Sequence, residues 1–259
     1  MHRILPTMEF DWGAGSYEET ARQLYPAAVR ALDLAAVRQG EHLLDLGCGN
    51  GNVSVAALGR GAVVTAVDPS PRLLDAARAR VAALGAQARV LSGEGGRLEL
   101  ASASFDVVVA VFSVIFAPDA AGCVREMLRV TRPGGRLVIT SWESGGPVNE
   151  ISELVRPPGV QRPPSPWLAL EAIRELFAPY RVEVIGSREQ LPLRASSAEA
   201  WLADLEVNHP YWRAMRQQRQ ADWPELRRRS VEVLEAANED PAAFCVTSTY
   251  LVTRINVLS

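Results

Sequence analysis

The stretch that decides the fold reads Leu43-Leu44-Asp45-Leu46-Gly47-Cys48-Gly49-Asn50-Gly51-Asn52 and resumes as Ala62-Val63-Val64-Thr65-Ala66-Val67-Asp68-Pro69. It predicts a short apolar strand, a glycine-rich turn, a helix and a second strand ending in an aspartate. Such a unit suits a buried parallel sheet that holds a nucleoside-bearing ligand at the carboxyl ends of its strands. The glycine spacing narrows the ligand. A dinucleotide fingerprint, G-x-G-x-x-G, would need its third glycine at position 52, where Asn52 stands. The pattern is instead Asp45-x-Gly47-x-Gly49-x-Gly51, with a glycine at every second residue.

Outward from this unit, apolar strands alternate with amphipathic helices over residues 20–145, which predicts a doubly wound α/β core. Strands are expected at His42–Leu46, Val63–Val67, Ala88–Leu91, Phe105–Val111 and Arg136–Ser141. Helices are expected before Gly40, over Asn52–Arg60, from Pro71 to Gly85 and over Ala120–Val130. Ser70 stands as N-cap to Pro71, whose missing N–H costs nothing at the first helical position. Residues 156–166 hold Pro157, Pro158, Pro163, Pro164 and Pro166 and read as an extended loop. A helix over Trp167–Phe177 and strands over Arg181–Ile185 and Ala243–Ile255 follow. Between those strands lies an insertion opened by the capping box Ser196-x-x-Glu199, with a further helix from Pro224 to Ala237.

A chain of 259 residues with net charge −3 gives no electrostatic reason to expect a nucleic-acid partner. All 27 basic residues are arginine, which points to a GC-rich coding sequence. Arg213, Arg216 and Arg219, and the run Arg227 to Arg229, read as solvated helix faces. Cys48, Cys123 and Cys245 lack metal-ligand spacing and read as free thiols. Met1–Phe10 lacks a signal-peptide pattern, and the apolar run Val107–Ala117 is too short to span a bilayer. The expectation is a cytoplasmic protein without membrane or metal, a monomer or homodimer.

Gly47, Gly49 and Gly51 allow the backbone to turn sharply and approach a ligand without Cβ clashes. The helix that follows offers N–H groups to a carboxylate, and Asp68 is placed to accept two ribose hydroxyls.

These motifs resemble those of the class I S-adenosylmethionine (SAM)-dependent methyltransferases. Leu43–Val55 is similar to motif I, and Val67-Asp68-Pro69-Ser70 to the acidic motif after strand two. Ser92-Gly93-Glu94-Gly95 resembles the adenine-contacting motif, and Phe105–Val109 and Arg129–Leu137 the strand-four and strand-five motifs. Glu94 replaces the usual aspartate, and Gly95-Gly96 is a second departure. The resemblance implies a seven-stranded, mostly parallel sheet with an antiparallel last strand and a helical insertion between the last two strands. It implies one methyltransferase domain over 1–259, with an N-terminal cover at 1–40, a SAM-binding core at 41–145 and a substrate cover at 195–242. The implied cofactor contacts are Tyr17, Asp45, Gly47, Cys48, Gly49, Asn52, Asp68 and Pro69. Gly93, Glu94, Gly95, Val111, Phe112 and Phe116 complete them.

Methyl transfer needs a nucleophile held in line with the methyl group, away from water, and aromatic faces near the sulfonium. Trp12, Ser113, Trp142 and Tyr211 are the candidate substrate contacts, and His209 is the candidate general base or substrate contact. Trp201, Tyr211, Trp212 and Trp223 would suit an aromatic or apolar small-molecule acceptor methylated at O, N or C, or would only pack the extra helices. A place in secondary metabolism is an association of the coding bias. RNA or protein methylation, a nicotinamide-dependent dehydrogenase and a non-catalytic SAM-binding protein are the alternatives. Against a nucleic-acid amino-methyltransferase, Val111-Phe112-Ser113-Val114 stands where Asn-Pro-Pro-Tyr would be expected.

Overall fold

A computed structural model describes residues 15–160 and 165–259. Trp12 lies outside them. Seven strands form one sheet: β1 (His42–Leu46), β2 (Val63–Asp68), β3 (Arg89–Ser92), β4 (Phe105–Val111), β5 (Thr131–Trp142), β6 (Val182–Ala195) and β7 (Phe244–Val257). Their order is β3-β2-β1-β4-β5-β7-β6. The first five run parallel, and β7 joins β5 antiparallel. Strand order reverses between β1 and β4, and in open α/β sheets the ligand crevice lies at the carboxyl ends of such a pair.

The central strands are buried on both faces because helices cover both. Val107, Val108, Val109 and Ala110 are all fully buried, as a parallel strand between two helical layers requires. On one face, Leu44, Val108, Leu137, Ile139 and Ile255 pack with Met127 of α4 (Ala120–Val130) and with Ile173 and Phe177 of α6 (Leu170–Phe177).

The chain divides into two compact units. The first gathers Leu24–Glu143, Ser165–Glu189 and Tyr250–Ser259; the second gathers, of the described residues, 15–23, 144–160 and 190–249. In the second unit, α5 (Gly146–Leu154), α7 (Ala198–Asn208), α8 (Pro210–Gln218) and α9 (Trp223–Ala236) bury Ile151, Leu202, Trp212, Met215 and Leu234. Arg219, just past α8, donates to the carbonyl of Arg156 at 2.7 Å, near the end of α5.

Several boundaries differ from the sequence expectation. The helix after the glycine turn, α2 (Asn52–Leu58), stops two residues short, at Gly59. β5 starts at Thr131 rather than Arg136, because a bulge against β4 takes up Arg132–Gly135 with Gly134 at φ +76°. α7 is capped by Ser197, not Ser196: the Ser197 hydroxyl accepts from the Ala200 N–H at 3.0 Å. Glu199 instead pairs with Arg227. The helix expected over Trp167–Phe177 breaks at Ala169, whose φ of −145° is extended, into a 3-10 turn (Pro166–Leu168) and α6. That turn takes Pro166 out of the irregular loop.

Candidate active site

The glycine turn is held from four sides. From β2, the Val67 carbonyl accepts the N–H groups of Gly47 (2.7 Å) and Cys48 (3.0 Å). From β4, Ser113 Oγ donates to the Leu46 carbonyl at 2.6 Å, joining the ends of β1 and β4 at the switch point. Ser113 therefore closes the sheet top instead of standing free for an acceptor. From beneath, buried Asp45 Oδ2 accepts both the N–H (2.9 Å) and the hydroxyl (2.6 Å) of Ser54. This caps the first turn of α2, so that one of its N–H groups is spent inside the protein rather than on a ligand. From α3 (Pro71–Ala83), Arg80 Nη1 reaches the Asn50 carbonyl at 3.0 Å and the side-chain oxygens of Asn50 and Asn52, both at 2.9 Å.

The glycines play different parts. A Cβ on Gly47 would lie 2.3 Å from Ser113 Cβ, and one on Gly51 3.3 Å from Ala77 Cβ. A Cβ on Gly49 would meet nothing within 4 Å. Gly47 and Gly51 serve close packing, whereas Gly49 borders open space.

Asp68 ends β2 beside that space and is 6% exposed. Its Oδ2 accepts the Gly49 N–H and its Oδ1 the Ser70 N–H, each at 2.9 Å. A carboxylate oxygen has two lone-pair sites, so each keeps one for a ligand hydroxyl. Burial raises its pKa above the ordinary carboxylate value, while the two amide bonds pull it down. Ser70 occupies the N-cap position of α3, yet its buried hydroxyl makes no capping bond. Asp68 serves the Ser70 backbone instead. Nearby, Pro69 is exposed, the Gly93 N–H donates to the Asp68 carbonyl (3.3 Å), the backbone carbonyl of exposed Glu94 accepts the Arg97 N–H (3.1 Å), and Gly95 packs by Cys123. Burial raises the Cys48 thiol's pKa, leaving it protonated and unreactive.

Past β4 the chain turns sharply. Strand alternation would set Phe112 on the face of Ala110, whose register partner is Ile139. Phe112 instead adopts φ +49°, held by its N–H donating to Thr140 Oγ1 at 3.0 Å. The ring then stacks on Trp142 (centroids 4.0 Å apart, 12° between planes) and meets Tyr250 edge-on at 5.4 Å. Trp142 and Tyr250 are register partners on β5 and β7. A left-handed non-glycine residue costs about 1–3 kcal/mol, and the three-ring cluster is what the strain secures. Val111 precedes it half-buried, and Phe116 follows in a 3-10 turn, 49% exposed.

Tyr17, His209 and Tyr211 belong to the second unit. The Tyr17 and His209 rings lie 5.9 Å apart. His209 caps α8: its Nδ1 accepts the Tyr211 N–H at 3.3 Å, and burial lowers its pKa to about 4. A neutral imidazole that accepts through Nδ1 carries its proton on Nε2, so in this arrangement the ring offers a donor and no base. The Tyr211 hydroxyl donates to the Ser152 carbonyl at 2.8 Å. Burial pushes the Tyr250 phenol up to about 12. Asp45, at about 7, has the value a base needs but is fully buried and held by Ser54.

Sequence reasoning did not single out Arg80, Ser54 or Tyr250. Arg80 looks like Arg72 or Arg78 on the polar side of one helix, and only the packing of α3 on the turn distinguishes it. Ser54 had one signal, a small polar residue inside an apolar helix next to a glycine turn.

A reversed α/β sheet, a glycine turn with one open glycine at the switch point, and a carboxylate beside it define a doubly wound α/β protein with the layout of a nucleoside site at its switch point. A family model described as a methyltransferase domain matches residues 44–139. Nocamycin O-methyltransferase of Saccharothrix syringae is 32% identical over 244 residues, covering 83% of this chain and 86% of that protein. An uncharacterized protein of Mycobacterium tuberculosis is 34% identical over 169 residues, and the match spans 62% of this chain and 61% of that relative's length. The fold is that of the YcgJ protein of Bacillus subtilis, with a TM-score of 0.65 at 16% identity over 90% of this chain and 99% of that one. The chain belongs to the class I SAM-dependent methyltransferases. Among the described residues, no helix is long and apolar enough to cross a membrane.

Proposed function

We propose that this protein transfers the methyl group of SAM to an oxygen of a small organic acceptor, with SAM held at the glycine turn. The observation that carries the reading is the open space at Gly49 beside Asp68, bordered by a turn already fixed by Arg80, Asp45 and Ser113. The Asp68 carboxylate would take the ribose hydroxyls, and the Phe112 ring and its stacked partner would present aromatic faces toward the sulfonium. Bound SAM supplies an activated methyl group, so the protein's own task is to orient the acceptor and exclude water.

The nocamycin O-methyltransferase relative supports an oxygen acceptor. The titrating groups point to the kind of oxygen. His209 is neutral with its lone pair engaged, Tyr250 holds its proton and Asp45 is sequestered. We therefore read the acceptor as one that ionises by itself, such as a carboxylic acid, phenol or enol.

Calorimetric titration with SAM, S-adenosylhomocysteine and NAD, repeated with Asp68→Ala, tests the cofactor assignment. Binding of the two sulfur nucleosides but not NAD, lost in Asp68→Ala, is the expected result. NAD binding, or no binding of any of the three, would refute it. With an acceptor in hand, the rate should rise with pH through the acceptor's own pKa.

A further inference from the structure

Within the second unit, the end of α7, α8 and the start of α9 enclose an open groove of about 560 Å³. That volume lies inside the range of about 300–1,000 Å³ typical of small organic ligand sites. None of its lining residues belongs to the glycine turn, the Asp68 motif or the aromatic cluster at Phe112.

The chemistry of the lining is asymmetric. Trp223, 7% exposed, gives the groove an apolar floor, and its one polar atom is already satisfied, because Nε1 donates to Glu206 at 2.8 Å. The Glu206 carboxylate is also neutralised, with Arg227 Nε at 3.3 Å. Val207, 54% exposed, adds apolar surface. The positive side of the groove has no such compensation. Arg213, Arg216 and Gln217 share one face of α8, at i, i+3 and i+4, and Gln220 follows just beyond its end. Three nearby arginines have carboxylates: Arg219 pairs with Asp222, Arg227 with Glu206, and Arg228 with Glu225. Arg213 gives one N–H to the Val207 carbonyl at 3.1 Å. Exposed Arg216 has no carboxylate within ion-pair distance among the described residues, and it lines the groove.

From this juxtaposition of an apolar indole floor and an uncompensated arginine pair we infer a binding site for an amphipathic organic oxyanion. Its flat apolar body lies along Trp223, and its carboxylate or equivalent head meets the Arg216 guanidinium. Guanidinium matches a planar oxyanion through paired N–H donors, and the Gln217 and Gln220 amides can complete the head's hydrogen bonds. This inference does not depend on the methyl-transfer reading.

The test is calorimetric titration of the full chain, without SAM, using 2-naphthoate and the uncharged 2-naphthalenemethanol as paired probes. Naphthoate is expected to bind at a single saturable site, and the alcohol about tenfold or more weaker, as the loss of one charge-assisted contact requires. Arg216→Ala should weaken naphthoate binding by a similar factor, and Arg216→Lys should restore part of it. Gln217→Glu, nearly isosteric but negative, should weaken it as well. Raising the salt concentration should raise the Kd. Arg216 and Gln217 are exposed, so the variants should melt like the parent. No saturable naphthoate binding, equal affinity for the alcohol, or affinity unchanged in both Arg216→Ala and Gln217→Glu would overturn the inference.

Discussion

Two glycines two residues apart should fail in opposite ways when changed to alanine. Gly47 sits at φ +68° with its missing Cβ 2.3 Å from Ser113 Cβ and 2.8 Å from Ser113 Oγ. Alanine there incurs about 1–2 kcal/mol for the left-handed backbone. It must also displace Ser113, breaking the 2.6 Å bond to the Leu46 carbonyl, worth about 1 kcal/mol. Overpacking adds about 1–3 kcal/mol. Gly47→Ala should therefore lose about 3–6 kcal/mol of folding stability, the sum of these ranges. Gly49, at φ +53° with nothing near its absent Cβ, should lose only the backbone part, about 1–2 kcal/mol. Its methyl group would project into the space assigned to the cofactor, so its main effect should be on ligand affinity. Urea unfolding gives the stabilities, and calorimetry with S-adenosylhomocysteine gives the affinities. A double-mutant cycle sharpens the test: Ser113→Gly removes the clashing Cβ, so Gly47→Ala should cost less in that background. Equal stability losses at the two glycines would refute the packing account. Unchanged nucleoside affinity in Gly49→Ala would refute the placement of the cofactor.

Two further outcomes follow from the same geometry. Arg80 holds Asn50 and Asn52 in the glycine turn; with SAM at the proposed site, Arg80→Ala should raise KM for SAM about tenfold, the equivalent of about 1.4 kcal/mol. Little change in kcat and part recovery in Arg80→Lys should accompany it, whereas a purely structural role would lower the melting temperature without this split. Asp45 is raised to about 7 by burial, so the folded state favours its protonated form. Its contribution to stability is present below the unfolded value near 4 and is lost as pH rises through about 7. Asp45→Asn should thus be more stable than the parent at pH 8, by up to roughly 4 kcal/mol at about 1.4 kcal/mol per pH unit. The difference should shrink toward pH 4 in thermal melts, and a pH-independent difference would contradict the burial argument.

The sequence by itself determined the parallel core and the family to which the chain belongs. Continuous apolar runs at Val107–Ala110, glycines at 47, 49 and 51, and Asp68 at a strand end are local signals, and local backbone chemistry obeys them wherever the segment lies. The bulge at Arg132–Gly135, the break at Ala169 and the cap at Ser197 were out of reach, because each is settled by a strand partner or packing neighbour rather than by its own residues. The same holds for the site. That Gly47 serves packing while Gly49 stays open depends on where Ser113 lands, 66 residues later in the chain. Phe112 gave no sign of its left-handed turn, since Trp142 and Tyr250 come from other strands. Arg216 reads as one more solvated arginine until Glu206, Trp223 and Arg227 come together and leave it, with Arg213, lining the groove without a carboxylate partner among the described residues. Periodicity and turn chemistry act within a few residues, whereas strain, compensation of charge and open space are set by contacts that exist only once the chain has folded.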